Sequence, residues 1–528
     1  MHRTIKYFLS KGKPKFRSDK KSVHQSNCRQ ATRQSHPNYS LKTIATSALA
    51  TTTALISCSS FFLTISPAKA ATGPYCQFTP EEVEIKDKLL QAALADEQTK
   101  PQYDTVVKRH REMLELCRSQ TWPEEQAIWL RLYPCDASPG AVDRVLDRIV
   151  NLGYSRVHLE VFYDSQVLLP PEDNPTPWTS VVRSPEGDRV DLLQQAIDKA
   201  HQRGLKVYAW LFTMNFGYTY AQRPDRQEAL ARNSIGQNSL TYVHDRSQAF
   251  IDPYSPQAQT DYYNLVQAVL KRQPDGILFD YIRYPRGIGG QSYVHSVKDL
   301  WIYGKSSLDA LYNRATNKKG LALIKQFVQK GNISSHDLEV ADRQYPDESQ
   351  AKWQGRSPIP EDKTTEASRQ DRLNQDLWFF SVAHAAQGVI DFLSFAAKPA
   401  QDRGIPAGAV FFPDANSLVG TTAFDSRLQA WDKFPTDLEW HPMAYAVCED
   451  KTDCITARII SVLKTAPDTT IVPALAGAWG KEYRGHLPLE TQIEALRKAT
   501  PEVNSISHFS YAWQEPELDR RRQSCNLL

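Results

Sequence analysis

The chain has 528 residues and a formal net charge of +3 at pH 7. That slight basicity sits at one end: residues 1–70 carry 12 Lys and Arg against one acid, Asp19, a net +11 that leaves −8 for the remainder. A basic leader on an acidic body gives no reason to expect a nucleic-acid partner, and the remaining length suffices for one large α/β barrel with additions.

Residues 1–40 are basic, the run Thr43–Pro67 is uncharged, and Ala68-Lys69-Ala70 follows. A basic n-region, an apolar h-region and an A-x-A site together form a secretory signal, cleaved after Ala70. The protein is therefore expected to be exported, periplasmic or extracellular, with no stable membrane span after processing. Leu55-Ile56-Ser57-Cys58 offers the alternative of a lipid anchor at Cys58, but Phe61, Phe62 and Leu63 carry the apolar run past it. A genuine membrane anchor is a further alternative, opposed by the many Thr and Ser in the run. Six cysteines remain after the leader: Cys76, Cys117, Cys135, Cys448, Cys454 and Cys525. An even count in an exported chain favours disulfides. Cys448 and Cys454 flank a loop short enough for one bridge; the pairing of the other four stays open.

Residues 71–124 form a helical extension, with Thr79-Pro80 as cap and first-turn proline. From Ala127 short apolar runs alternate with helical stretches, the pattern of β–α units on a parallel sheet. The runs are Ala127–Tyr133, Ser155–Phe162, Lys206–Phe212, Gly276–Tyr281, Ala407–Phe412, Leu438–Ala446, Thr470–Ala476 and Ser505–Tyr511. Between them lie helical candidates at Gly140–Asn151, Asp191–Arg203, Pro256–Arg272, Asp371–Ala397, Thr452–Lys464 and Leu489–Ala499. Eight strands, most followed by a helix, imply an α/β (β/α)8 TIM barrel over 125–515. A doubly wound sheet would need a Gly-rich phosphate loop after its first strand, and none is present. A polar stretch, 286–370, interrupts the rhythm after the fourth strand, at the end where barrels carry their sites. It reads as a lid or cleft wall, or as a plain insertion; residues 516–528 read as a tail.

Side chains alternate across a strand, so parity assigns the faces. One face of five of the runs collects polar and aromatic groups: Trp129, Arg131 and Tyr133; His158, Glu160 and Phe162; Tyr208, Trp210 and Phe212, with Asn215 beyond; Leu278 and Asp280; and Glu439, His441, Met443 and Tyr445. Barrel interiors are ordinarily filled by Val, Ile and Leu. Paired charges among aromatic rings suit a polar ligand, and aromatic planes suit the C–H faces of sugars. Trp210, Tyr445, Trp479, Tyr511 and Trp513 fall near strand ends, and Tyr281 and Arg283 follow Asp280 into the insertion.

The acids separate by position. Asp275 and Glu439 start their strands and read as structural, whereas Glu160, Asp280 and Asp414 end theirs. Glycoside hydrolysis needs two carboxyls, one protonated and one ionised. Asp280 is the leading candidate, against a structural ion pair with Arg283 or Arg131. A carboxylate that only binds sugar hydroxyls would look the same as Glu160 or Asp414. His158, His441 and His508 fit either substrate contact or the core. No H-x-H or H-E-x-x-H pattern points to zinc, and no G-x-S-x-G elbow to a serine hydrolase, so neither metal nor cofactor is expected.

"PDGILFDYIRYPR" (274–286), "AIDKAHQRGLKVYAWL" (196–211), "FIDPYSPQAQ" (250–259) and "LEWHPMAYA" (438–446) together resemble the motifs of the bacterial glycosyl hydrolase-like family 10 proteins, in the same order. The resemblance implies a TIM barrel acting on a polysaccharide or cell-wall glycan outside the cytoplasm, related to retaining α-glycosidases. It implies Asp280 as nucleophile and an acid/base from a later strand, with Asp414 the nearest positional match and Glu449 or Asp450 as alternatives. Tyr208, where the family commonly has histidine, and the insertion after Arg286 depart from the pattern. A catalytically silent glycan-binding barrel is the alternative from another class.

Overall fold

The computed structural model describes residues 73–183, 190–243, 245, 247–357, 365–447 and 452–525. The expected leader, Cys58, Cys448, Glu449 and Asp450 lie outside these residues. The barrel strands are β1 (Glu125–Arg131), β2 (Arg156–Tyr163), β3 (Lys206–Phe212), β4 (Gly276–Asp280), β5 (Ala407–Phe411), β6 (Glu439–Pro442), β7 (Ala474–Ala476) and β8 (Ser505–Phe509). Each is parallel to its neighbours, in the order β6-β5-β4-β3-β2-β1-β8-β7. Parallel bridges Trp440 to Ile471 and Met443 to Ala474 join β6 to β7 and close the ring. The doubly wound alternative is thereby excluded.

All eight predicted strands are present, five of them shorter than their apolar runs, β6 and β7 most of all. Pro442 ends β6, and Pro473, which has no N–H to donate, stands immediately before β7. The outer helices follow the predicted places: α1 (Pro80–Ala95), α2 (Lys100–Arg118), α3 (Ala141–Asn151), α4 (Leu192–Gln202) and α5 (Pro256–Leu270). Thr79 caps α1 by accepting from the Glu82 N–H at 3.4 Å. Ser255 caps α5 in the same way from Ala258, 3.3 Å away.

The insertion contains three helices, α6 (Lys305–Tyr312), α7 (Lys318–Lys330) and α8 (Ser335–Gln344), before the long α9 (Glu366–Gln401). Each starts on a local signal. Asn317 caps α7 through Gly320, and Ser334 with Asp337 forms a capping box on α8. Asp252, buried in the "FIDPYS" motif, accepts from the Ser307 N–H (2.9 Å) and Oγ (2.7 Å) in the first turn of α6, fastening the insertion to the barrel. Helix α9 is long and apolar enough to cross a membrane, yet its apolar residues are core, packed on α5, β4 and β5. Beyond it lie α10 (Asp453–Thr465), α11 (Leu489–Ala499) and α12 (Pro516–Gln523).

Disulfides Cys76–Cys117 and Cys135–Cys525 settle the pairing of the four open cysteines. Such bridges suit an oxidising, exported location. Cys454 is also disulfide-bonded, while Cys448, its expected partner, is outside the described residues.

Large inward side chains fill the lower barrel. Trp129 meets His158 and Trp210 edge-on, with centroids 4.6 and 4.8 Å apart, and His158 meets His441 at 5.5 Å. Glycines make the room. A Cβ on Gly276 would lie 2.5 Å from the Tyr208 ring, and one on Gly408 2.8 Å from His441 Nε2. Gly276→Ala is therefore expected to overpack this layer and cost about 1–3 kcal/mol, read as a lower urea midpoint. An unchanged midpoint would contradict the packing account.

Candidate active site

Carboxylates occupy both ends of the barrel, and their partners distinguish them. At the N-terminal end Arg156 pairs with Glu125 and with Glu439 (3.3 Å), and its guanidinium lies 4.2 Å from the Tyr208 ring centre. Glu439 also accepts from Tyr208 Oη at 3.0 Å and contacts His441 Nε2 at 3.2 Å. Burial raises its pKa, but His441, Arg156 and Tyr208 outweigh that and hold it at about 2. Asp275 likewise stands at this end, accepting from the Val207 N–H at 2.7 Å. Both acids are structural, as their positions predict.

At the C-terminal end, register aligns Arg131 with Glu160, Glu160 with Trp210, and Phe212 with Asp280. The inward parity holds up to Glu160. There an irregularity pairs Phe162 with Leu211, so Phe162 moves to the outer parity and packs on Trp178 and Phe216.

Asp280 is 7 % exposed. Its Oδ2 accepts from Trp210 Nε1 at 3.1 Å and its Oδ1 from the Tyr281 N–H at 2.6 Å. Tyr281 has φ 53°, a left-handed conformation that costs a non-glycine residue energy and clusters at functional sites. Its ring packs on Phe212 at 4.2 Å, with the Arg283 guanidinium 4.7 Å from its centre. Arg283 hydrogen-bonds the Tyr284 carbonyl, and among the described residues no cation is ion-paired with Asp280. The structural ion-pair reading of Asp280 is thus not what the geometry shows. Burial pushes its carboxyl up to about 6, against the two N–H donors and the Arg283 charge.

Glu160, 1 % exposed, takes the fork of Arg131 through Nε and Nη2, the latter at 3.0 Å. The Arg131 guanidinium lies 4.0 Å from the Tyr163 ring centre. Burial raises Glu160 to about 7; Arg131 opposes, while the charges of Asp164 and Asp280 add. Asp164, absent from the sequence candidates, is therefore part of this field. It sits one residue past β2 at φ 40°, accepts from Ser247 Oγ at 3.3 Å, and is itself raised by burial and Asp245. Its place in "VFYDS", at the active end of a strand, was the available signal.

Tyr445 belongs with this group. Burial and the Asp280 charge push its hydroxyl well above the usual range. Its ring touches Phe509 at 5.7 Å, and Phe509 touches Trp513 at 5.8 Å, so aromatic contacts run outward along β8. Asn215 accepts from the Ala249 N–H at 3.0 Å, and its buried Nδ2 has no partner among the described residues.

Five expected site residues are not brought to Asp280 and Glu160. His158 and His441 are sealed in the interior, where burial holds both rings below their usual pKa. Trp479 lies on the outer side, donating to Tyr154 Oη at 3.0 Å and packing on Tyr75 and His508. Tyr511 is 1 % exposed beneath α12. Asp414 ends up apart as well: its side chain is 44 % exposed and pairs with Arg427 at 3.4 Å.

The family model described as Glycosyl hydrolase-like 10 matches residues 139–330, which hold Glu160, Asp164 and Asp280. The motif resemblance is borne out over that span. Glycosyl hydrolase DigH of Escherichia coli (strain K12) is 28 % identical over 156 residues, 28 % of this chain and 35 % of the relative. The chain thus spans about a third of the length of the curated relatives it matches. Among solved structures, a GH18 chitinase from Pseudoalteromonas aurantia is 10 % identical over 76 % of this chain and 98 % of its own, with TM-score 0.36. A GH20 exo-beta-N-acetylglucosaminidase from Vibrio harveyi is 9 % identical over 76 % and 52 %, with TM-score 0.38. At these values neither likeness bears on the chemistry.

Trp210→Phe keeps an aromatic ring, though a smaller one, and removes the N–H that favours ionised Asp280. The Asp280 pKa is then expected to rise from about 6 by roughly one unit in a carbon-13 carboxyl titration. An unchanged value would mean that the hydrogen bond does not tune the acid.

Proposed function

We propose that the protein is an exported glycoside hydrolase acting on a polysaccharide or cell-wall glycan, with Asp280 as nucleophile and Glu160 as acid/base. The observation that carries the reading is the pair of buried carboxyls at the C-terminal end of the barrel: Asp280, hydrogen-bonded among the described residues by N–H donors, and Glu160, raised to about 7 by burial with the Asp280 charge adding. Two acids with separated environments are what a division into base and acid requires. The ionised Asp280 attacks the anomeric carbon as the Glu160 proton passes to the departing glycosidic oxygen. Glu160 then takes a proton from the water that releases the sugar from Asp280. Net retention is the outcome the resemblance implies. Asp414, paired with Arg427 and exposed, fits the acid/base role less well than Glu160. Tyr281, Tyr445 and Trp513 are proposed sugar contacts, with Arg283 holding the Tyr281 ring.

The fork of Arg131 on Glu160 favours a second reading, a glycan-binding barrel without turnover, because an arginine-paired carboxylate resists protonation. The two diverge under mutation. Asp280→Asn is expected to abolish reducing-end release, by about a thousandfold or more, while leaving glycan binding within a few fold. A wild type that binds glycans and releases no ends from a broad polysaccharide panel would leave only the second reading.

Catalysis needs Asp280 ionised and Glu160 protonated, which places activity above about 6 and below about 7. A narrow bell-shaped pH profile with its maximum between these values is expected. A flat profile through pH 9 would exclude Glu160 as the acid.

A further inference from the structure

The C-terminal segment, which the sequence reads as a tail, is built into the wall behind the acids. In α12, Arg522 is 2 % exposed. Its Nε and Nη2 bond both oxygens of Asp136, at 2.9 and 2.7 Å, and its Nη1 bonds Asp519 at 3.0 Å. The same Nη2 reaches the carbonyl of Arg131 at 2.7 Å, across 391 residues of sequence. Tyr133 and Tyr511 flank the guanidinium, with ring centres 5.1 and 5.2 Å away. Asp136 in turn accepts from the Tyr133 N–H at 2.8 Å, so the chain from Arg131 to Asp136 is tied to this one cation. Three residues further on, Cys525 is exposed and bonded to buried Cys135, beside Asp136.

We infer that Arg522 is a positioning residue for the Arg131–Glu160 pair, seated by the Cys135–Cys525 bridge. Arg131 is the last residue of β1. Its fork meets Glu160 only while the strand end keeps its place, and among the described residues the side chain bonded to that residue's carbonyl comes from α12. A lysine could make one of these contacts but not the fork on Asp136 together with the carbonyl bond. The bridge closes a loop of 390 residues, which keeps α12 near its socket when Arg522 alone is weakened.

The inference rests on the hydrolase reading for its effect on rate, but not for its effect on Glu160. The groups facing Glu160 are Arg131 from β1, Tyr163 and Asp164 from β2 and its loop, and Asp280 and Tyr281 from the end of β4. Arg131 is the cation among them, so a loosened fork raises the proton affinity of Glu160. The test compares wild type with Arg522→Gln, Arg522→Lys and the double variant Cys135→Ser/Cys525→Ser in the full chain. Glu160 is followed by carbon-13 glutamate carboxyl titration, assigned by its loss in Glu160→Gln, and kcat by reducing-end release. Arg522→Gln is expected to raise Glu160 proton affinity about tenfold and to lower kcat about tenfold with KM within twofold, with partial rescue by Arg522→Lys. The cysteine variant should fall between wild type and Arg522→Gln. If Arg522→Gln does not fold, the Lys and cysteine variants carry the same comparison. Wild-type titration in the folded variants, with only thermal stability reduced, would overturn the inference. Absence of turnover in every protein, wild type included, would sink the hydrolase reading and leave the titration to decide this one.

Discussion

The structure depends on how a barrel with charged residues inside keeps those charges paired. Buried carboxylates are costly unless a cation or donors neutralise them. This barrel solves the problem differently at its two ends. At the lower end the cations Arg156 and Lys206 pair with the carboxylates Glu125 and Glu439. At the upper end Arg131 takes Glu160, and among the described residues Asp280 receives only the indole of Trp210 and its neighbour's backbone N–H. Donor hydrogen bonds stabilise a carboxylate less than a cation does, so Asp280 stays responsive to whatever enters the site.

Much of this was legible in the sequence. The eight strands, their order of polar faces and the rank of Asp280 over Asp275 all follow from period-two parity and from which end of a strand an acid occupies. Parity failed where the backbone broke step. The irregularity after Glu160 turns Phe162 outward, and side chains beyond the last strand residue, such as Trp479 and Tyr511, obey no strand parity at all. Asp164 was missed for the same reason, since its aim is set by a left-handed backbone and not by alternation.

Long-range partners were the other gap. Nothing local in "PELDRRRQ" distinguishes Arg522 from Arg520 or Arg521, and only the fold brings it to Asp136. The insertion shows the reverse. Its caps at Asn317 and Ser334 are local and readable, while its attachment through Asp252 to Ser307 spans 55 residues and is not.

The central claim is that Asp280 forms a bond to the sugar. Trapping with a panel of activated 2-deoxy-2-fluoro glycosides, followed by peptide mass spectrometry, tests it directly, because such reagents hold a retaining enzyme at its glycosyl intermediate. The account expects the label on Asp280, within the tryptic peptide Gln273–Arg283, and its loss in Asp280→Asn. A label on Glu160 or Asp414, or turnover with inverted anomeric configuration and no label, would contradict it.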